Sequence, residues 1–142
     1  MIIDASVVLR AYFPDEEQVE AQELIRDHVA GRVDLVAPTL ILYELINSVR
    51  QAERRERITT QEGESILESF ERLGIKLEAV EWKETLVLAR EFDRSGYDAA
   101  YLALAKARGE KLITGDQRLY NAVRDHLDWV EYIGENGQTA QD

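Results

Sequence analysis

Four acidic residues of this chain lie within or directly beside apolar stretches of sequence: Asp4, Glu44, Asp98 and Asp116. Asp4 and Asp116 each follow a short apolar run of the kind that forms a buried strand, and Glu44 and Asp98 belong to apolar helical segments. An unpaired carboxylate is costly to bury, so each side chain needs a compensating partner. A single divalent cation would compensate all of them if the fold brings them into one pocket.

The rest of the sequence restricts which metal ion such a pocket could bind. The chain has no cysteine, and its two histidines, His28 and His126, lie in polar helical stretches without the spacing of a ligand pair. The available ligands are therefore carboxylate oxygens, which suit Mg²⁺ or Mn²⁺. Such clusters serve phosphoryl transfer or phosphodiester hydrolysis, in which the metal activates water and stabilises the leaving oxygen.

Each acidic residue also has a purely structural explanation. Asp4, Asp98 and Asp116 precede or begin helices, where aspartate is a preferred N-cap and is favourably placed in the field of the helix dipole. Capping does not explain Glu44, which lies inside an apolar helical segment; its structural alternative is an ion pair with Arg50 or another nearby base. The set is more informative than any member, because convergent carboxylates repel one another unless a cation lies between them.

Length and charge restrict the class of protein. A chain of 142 residues with 45% apolar content is long enough for one domain with a full core. Its 17 basic and 28 acidic residues give a net charge of −11, which argues against charge-driven adhesion to nucleic acid or to an anionic membrane. No apolar run approaches the roughly 18 residues of a membrane span, and no secretory signal pattern opens the chain, so we expect a cytoplasmic protein.

Short β-type runs alternate with longer stretches of helical period, which is the pattern of parallel strands joined by crossover helices. The predicted strands cover residues 1–4, 34–37, 75–80, 111–114 and 129–133. The predicted helices cover residues 6–13, 15–30, 38–57, 60–73, 82–94, 98–107 and 117–127. Asp15 is expected to cap the second helix, whose apolar stripe includes Val19 and Val29, and Thr59 or Thr60 the fourth.

The pattern as a whole predicts an α/β fold. One domain, residues 1–133, would contain a central parallel sheet of about five strands with helices on both faces. Residues 134–142 have no apolar anchor, and we expect this polar tail to be frayed.

Several motifs, in combination and in order, resemble those of the PIN-domain nucleases. They are the segment 4–6 after the first strand, the glutamate of the third helix, and the segments 97–105 and 112–119. Size and layout are most similar to the VapC toxins of VapBC toxin–antitoxin pairs. The resemblance extends over residues 1–133.

This resemblance implies a function and a set of site residues. The chain would be a Mg²⁺- or Mn²⁺-dependent endoribonuclease that leaves 5′-phosphate and 3′-hydroxyl ends, with hydroxyls of Ser6 and Thr114 orienting ligands, water or substrate. Its metal-binding and catalytic acids would be Asp4, Glu44, Asp98 and Asp116. Family members commonly dimerise and are held inactive by an antitoxin whose C-terminal segment enters the active-site groove; an arginine in that tail would neutralise the acids.

The third and fourth predicted helices carry apolar residues beyond those needed for one core face: Leu42, Ile46, Ile66 and Phe70. This surplus predicts a symmetric homodimer with an isologous interface. Dimerisation would place two sites along one groove and bring a group of arginines to RNA phosphates: Arg50, Arg54, Arg55 and Arg57.

Three other classes of protein share part of the pattern. A receiver domain needs an acidic pair after its first strand and a lysine after a late strand, but Asp4 has no acidic neighbour and Lys111 begins its strand. A haloacid-dehalogenase-type phosphatase needs a second aspartate where this chain has Ser6. The alternative left open is a catalytically idle PIN-like binding or assembly module, because sequence alone does not establish that the four acids converge.

Overall fold

The computed structural model describes residues 1–134, and in that range five strands form one parallel sheet. The strands are β1 (Ile2–Ile3), β2 (Val36–Pro38), β3 (Lys76–Glu78), β4 (Leu112–Thr114) and β5 (Val130–Tyr132). The helices of the same range are α1 (Ala5–Tyr12), α2 (Val19–Val29), α3 (Ile41–Arg54), α4 (Thr60–Arg72), α5 (Trp82–Phe92), α6 (Gly96–Arg108) and α7 (Gln117–Val123). The predicted parallel α/β fold is confirmed. The predicted tail beyond Gly134 lies outside the described residues.

The order of the strands locates the functional end of the sheet. The order is β3-β2-β1-β4-β5, so the chain first builds outward from β1 through β2 to β3 and then returns to add β4 and β5 on the other side. Because crossovers between parallel strands are right-handed, this reversal places α1 to α4 on one face and α5 to α7 on the other. A crevice opens at the carboxyl ends of β1 and β4, where the direction of winding changes.

Helix α6 is the central element of the core. Its residues 99–105 are all buried, and the helix packs against β1, β2 and β4. The sequence predicts this burial, because the segment is almost entirely apolar and alanine-rich. Leu102 has no exposed surface. Burial of this helix fixes the position of its first turn, which carries Asp98.

Helices α3 and α4 pack closely as a pair beside the main core. A second apolar cluster lies between α1 and these two helices: Phe13, Val49, Ala52, Ile58 and Ile66. The close approach occurs at Gly63, where an added Cβ would lie 2.7 Å from Val49 Cγ1. The start of α4 is fixed by Thr59, whose side chain accepts a hydrogen bond from the Glu62 amide at 3.0 Å, as the sequence predicts.

The start of α2 differs from the prediction. The helix begins at Val19 instead of residue 15, because the Asp15 carboxylate accepts hydrogen bonds from the Arg57 guanidinium at 2.8 and 2.9 Å and caps no helix. The predicted apolar stripe is also wrong at both ends of the helix. Val19 is 58% exposed and Val29 is 69% exposed, and the buried positions are Ala21 and Ile25.

Two further helix starts are displaced. Pro38 is the last residue of β2, and the Thr39 amide bonds to the carbonyl of Glu78 in the neighbouring strand at 3.0 Å, so α3 begins only at Ile41. Helix α6 begins two residues before Asp98, since Ser95 Oγ accepts a hydrogen bond from the Asp98 amide at 3.0 Å and takes the cap position. Asp98 is therefore in the first turn and is not the N-cap.

The apolar surplus predicted for α3 and α4 is half correct. Leu42 and Ile46 are 37% and 41% exposed, but Ile66 and Phe70 are each only 5% exposed because they fill the core. The exposed patch on α3 is therefore smaller than the sequence suggests. No helix within residues 1–134 is long and apolar enough to cross a membrane.

Candidate active site

Asp4 lies at the crevice, directly after β1, and is 5% exposed. It caps α1 by accepting a hydrogen bond from the Ser6 amide at 3.1 Å. The hydroxyl of Ser6 donates to the same carboxylate oxygen, and the hydroxyl of Thr114 donates to the other. Both oxygens of this buried carboxylate are thus held by neutral donors. The structural explanation of Asp4 as the N-cap of α1 is confirmed, and its metal-binding role stays a prediction.

A continuous set of hydrogen bonds joins the ends of β1 and β4 around Asp4. The Gly115 amide donates to Ser6 Oγ at 2.7 Å, and the Asp116 amide donates to Thr114 Oγ1 at 2.9 Å. Each hydroxyl accepts a hydrogen bond from a backbone amide after β4 and donates its own hydrogen bond to the Asp4 carboxylate. Ser6 and Thr114 therefore orient Asp4, which is the residue they contact directly.

Asp116 and Asp98 reach the same crevice from two helix starts. Asp116 caps α7, with its Oδ1 accepting hydrogen bonds from the amides of Arg118 at 3.0 Å and Leu119 at 3.2 Å. Asp98 points out of the first turn of α6, and its only charged partner in the described residues is Arg94, at 3.9 Å. Within residues 1–134, neither carboxylate forms an ion pair closer than 3.9 Å.

Glu44 enters the crevice from α3, on the face of the sheet opposite to α6. It does not pair with Arg50, which bonds to Glu53 at 3.4 Å instead. Its Oε1 accepts a hydrogen bond from the hydroxyl of Tyr101, a side chain of α6 that is 2% exposed. This bond links the helices on the two faces of the sheet, and sequence reasoning missed it.

All four predicted acids line one cleft of about 280 Å³: Asp4, Glu44, Asp98 and Asp116. Asn47 and Tyr101 also line this acidic cleft, and neither was predicted. Helical spacing offered a signal for both, because Asn47 follows Glu44 by three positions and Tyr101 follows Asp98 by three, which places each pair on one helix face.

The electrostatics of the acidic cleft show that its carboxylates interact. Burial, with a contribution from the charge of Asp116, raises the pKa of Asp4 from 3.8 to about 6. Burial raises the pKa of Glu44, with added repulsion from Asp98 and Asp116, and burial and Asp116 raise that of Asp98. Burial beside Glu44 raises the pKa of Tyr101 well above its usual range, so its hydroxyl stays a donor. A cation would relieve this shared repulsion.

The donor set of the acidic cleft fits a hard divalent ion. Carboxylate and hydroxyl oxygens are the groups that Mg²⁺ and Mn²⁺ prefer. Within residues 1–134, no three acidic, histidine or cysteine side chains already have the spacing of a formed metal site.

The arginines predicted to contact RNA occupy different environments. Arg50 pairs with Glu53, whereas Arg54 and Arg55 are exposed at the end of α3. Arg57 is held by Asp15 at 2.8 Å and by Glu16 at 3.4 Å, and its guanidinium lies 4.7 Å from the centroid of the Phe13 ring. Its contact with RNA stays a prediction, and so do those of the other three.

The family of this chain follows from comparison with known proteins. A family model for the PIN domain matches residues 1–125. The chain belongs to the PIN domain family. Ribonuclease VapC3 of Pyrobaculum aerophilum is 31% identical to it over 123 residues, a match that covers 84% of this chain and 91% of that protein. Ribonuclease VapC9 of Mycobacterium tuberculosis is 30% identical over 119 residues, covering 84% and 87% respectively.

A solved structure is similar to this PIN domain in fold. The crystal structure of PAE2754 from Pyrobaculum aerophilum superposes with a TM-score of 0.68 and covers 92% of this chain and 81% of its own, at 22% identity. The family model and the relatives thus make this chain a VapC-type PIN domain, and the solved structure has the same fold. The predicted family and the predicted fold are both confirmed.

The raised pKa of Asp4 predicts that this carboxylate destabilises the metal-free PIN domain as pH rises. The folded state holds the proton up to about pH 6 while the unfolded chain releases it near 3.8, so the free energy of unfolding falls between these values. The difference corresponds to about 3 kcal/mol at most. Asp4→Asn removes the ionisation. In EDTA, the melting temperature of Asp4→Asn relative to wild type should therefore increase from pH 4.5 to pH 7.5.

The exposed residue Asp125 gives a matched control for this measurement. Asp125→Asn makes the same chemical change on the surface. Its melting temperature relative to wild type should stay nearly constant over the same pH range. A difference between Asp4→Asn and wild type that does not grow with pH would show that Asp4 ionises as freely in the fold as in the unfolded chain.

Proposed function

We propose that this chain is a Mg²⁺- or Mn²⁺-dependent endoribonuclease and the toxin of a type II toxin–antitoxin pair. The observation that carries the proposal is the convergence of four carboxylates in one cleft at the switch point of the parallel sheet. The relatives that bear the name ribonuclease match most of this chain, which supports RNA as the substrate. We propose the cytoplasm as the site of this activity, since an intracellular RNA would be the substrate.

In this proposal the acidic side chains bind the divalent ion, and neighbouring hydroxyl groups keep those side chains in position. Asp4, Asp98 and Asp116 would bind it, and Glu44 would bind it directly or through water. When bound, the ion supplies activation of water and stabilisation of the leaving oxygen for in-line hydrolysis. Ser6 and Thr114 keep the Asp4 carboxylate oriented, and Tyr101 keeps Glu44 at the edge of the cleft. The buried α6 gives Asp98 a rigid base.

The chemistry of the cleaved ends tests this function. A 5′-labelled structured RNA should be cut in Mg²⁺ or Mn²⁺ and left intact in EDTA, and mass spectrometry should find 5′-phosphate and 3′-hydroxyl ends. Cleavage that persists in EDTA would contradict the proposal because no metal ion would be needed. Ends with a 2′,3′-cyclic phosphate would also contradict it, because they form by attack of the 2′-hydroxyl and not of a metal-activated water. Metal binding with no cleavage of any RNA would favour the idle binding module.

We also propose a partner and an assembly. An antitoxin tail that carries arginine would neutralise the cleft by charge-assisted hydrogen bonds, and the net charge of −11 would speed the approach of such a basic segment. The exposed Leu42 and Ile46 of α3 support a homodimer. If the tail and the ion share the cleft, Mg²⁺ should weaken binding of the tail peptide; binding of both at unchanged affinity would contradict a shared site.

A further inference from the structure

A second groove opens directly from the acidic cleft and runs between α1 and α3. We call it the arginine groove; its characteristic residues are Arg10, Phe13, Ser48, Gln51, Arg55 and Arg57. Ser6, Leu9 and Ser48 line both the arginine groove and the acidic cleft, so the two are continuous. The arginine groove has a volume of about 220 Å³.

Helical spacing explains why the two grooves are continuous. Glu44, Ser48, Gln51 and Arg55 follow one another at intervals of four, three and four residues, so they form one polar stripe along α3. The buried face of α3 lies beside this stripe. The stripe begins with a carboxylate in the acidic cleft and ends with a guanidinium in the arginine groove. A chain laid along α3 would therefore pass from the metal-binding acids to a basic surface.

Arg10 is a half-buried cation that packs against Tyr132. Its Nη2 donates to the hydroxyl of Tyr132 at 3.2 Å, and its guanidinium lies 5.5 Å from the centroid of that ring. No carboxylate within residues 1–134 forms an ion pair with it. A Cβ built on Gly115 would lie 2.7 Å from Arg10 Nε and 3.1 Å from Ser6 Oγ, so the Arg10 side chain adjoins the wall of the acidic cleft. A partly desolvated guanidinium that has no carboxylate partner among these residues favours an anion as its ligand.

Arg55 supplies a second free charge to the arginine groove, and Arg57 does not. The guanidinium of Arg55 is exposed and has no hydrogen bond or ion pair within residues 1–134. Arg57 is engaged by Asp15 and Glu16, and it in turn neutralises the carboxylate of Glu16 on the rim. In a protein with a net charge of −11, two arginines in one groove that form no ion pair with the described part of the chain are a local reversal of sign.

We propose that the arginine groove binds a backbone phosphate of the RNA next to the phosphate being cleaved, with Arg10 and Arg55 as its ligands. The inference rests on the proposed function and names the part of the substrate that this surface recognises. Guanidinium forks match phosphate oxygens, and the neutral Ser48 and Gln51 between them offer hydrogen-bond partners to ribose hydroxyls. The phosphate bound in the arginine groove would set the register of the strand in the acidic cleft.

Single-turnover cleavage of a short single-stranded RNA with one cut site tests the role of these arginines. Arg10→Gln and Arg55→Gln should each raise the protein concentration for half-maximal rate by roughly tenfold and change the maximal rate by less than about twofold. The salt dependence of RNA binding should fall by about 0.7 in logarithmic slope for each arginine removed. Arg90→Gln, which removes an exposed charge from α5, is the control and should change neither.

Neutral linkages in the RNA show which phosphate is bound. Methylphosphonates are placed one at a time beside the cut site. One position should weaken binding to wild type by more than it weakens binding to Arg10→Gln, because that variant has already lost one of the two contacts to this phosphate. Arg55 is exposed, so Arg55→Gln gives the same test if Arg10→Gln disturbs the packing on Tyr132. An additive loss in both variants would overturn the proposal.

Two other outcomes separate this inference from the proposed function. If wild type cleaves RNA and both arginine variants bind and cleave as wild type does, the arginine groove is not a phosphate site although the nuclease function stands. If the same variants instead lose binding of a polyglutamate peptide, the groove serves a protein partner and the inference is wrong. A wild-type protein that cleaves no RNA would contradict the proposed function itself.

Discussion

Replacing Asp98 with asparagine is expected to reduce RNA cleavage by at least about 100-fold at saturating Mg²⁺. Asp98 projects from a rigid helix into the acidic cleft, and its carboxylate is not satisfied by any close cation in the described residues. Asparagine keeps the size and the amide hydrogen bond to Ser95 while removing the charge that the ion requires. The stabilising shift in melting temperature that Mn²⁺ produces should decrease in parallel.

Asp93→Asn is the matched control for this variant. Asp93 lies five residues earlier, is exposed, and has a positive φ of 51°, a conformation that asparagine adopts readily. The control should therefore cleave RNA at nearly the wild-type rate. Equal activity of Asp98→Asn and Asp93→Asn would remove Asp98 from the site, whereas equal loss in both would point to general charge effects instead of a specific ligand.

The largest expected effect on stability is that of Leu102→Ala. Leu102 has no exposed surface and lies in the buried stretch of α6 that packs on the sheet. Its truncation should lower the free energy of unfolding by about 2–5 kcal/mol, the sum of lost transfer energy and the cavity left behind. Urea denaturation with an unchanged m-value would measure this loss.

Leu86→Ala makes the same truncation at a position that is 40% exposed on α5. It leaves little cavity, so its cost should be within about 1 kcal/mol. A similar cost at the two positions would mean that α6 is not the rigid base that holds Asp98. Asp98 and Tyr101 both project from α6. The folded Leu102→Ala variant should therefore also bind the metal ion more weakly than wild type.

The net charge of the chain and an RNA substrate are compatible because charge is distributed unevenly at the site. The net charge of −11 predicts poor nonspecific adhesion to nucleic acid. The acidic cleft would become attractive to a phosphate only with metal bound, and Arg10 and Arg55 add positive charge beside it. A protein of this kind would bind RNA through a few specific contacts rather than through a broad basic surface.

Local signals were sufficient to predict most of the fold and the convergence of the four acids in one cleft. The apolar stretch around Leu102 marks α6 as buried, and Thr59 marks the start of α4, because hydrophobic period and capping depend on residues close in sequence. Asp4 and Asp116 were predicted to meet because the carboxyl ends of parallel strands share one edge of a sheet. Glu44 was the least expected acid, since an apolar helix offers no local reason for it.

What could not be predicted depends on contacts between distant residues. Asp15 looks like a helix cap in sequence, but the bidentate bond with Arg57, 42 positions away, takes it out of that role. The bond between Tyr101 and Glu44 joins helices 57 residues apart, and the packing of Arg10 on Tyr132 spans 122 residues. Periodicity carries no information about such pairs, because only the assembled sheet brings them together.

Anomalous diffraction from crystals grown with MnCl₂ would test the central claim most directly, because it locates the ion without relying on activity. The account predicts an anomalous peak in the acidic cleft, with oxygens of Asp4, Asp98 and Asp116 at about 2.0–2.3 Å, and no such peak in Asp98→Asn crystals grown in the same way. No peak in the cleft at Mn²⁺ concentrations that support RNA cleavage, or a peak held only by other residues, would contradict the account.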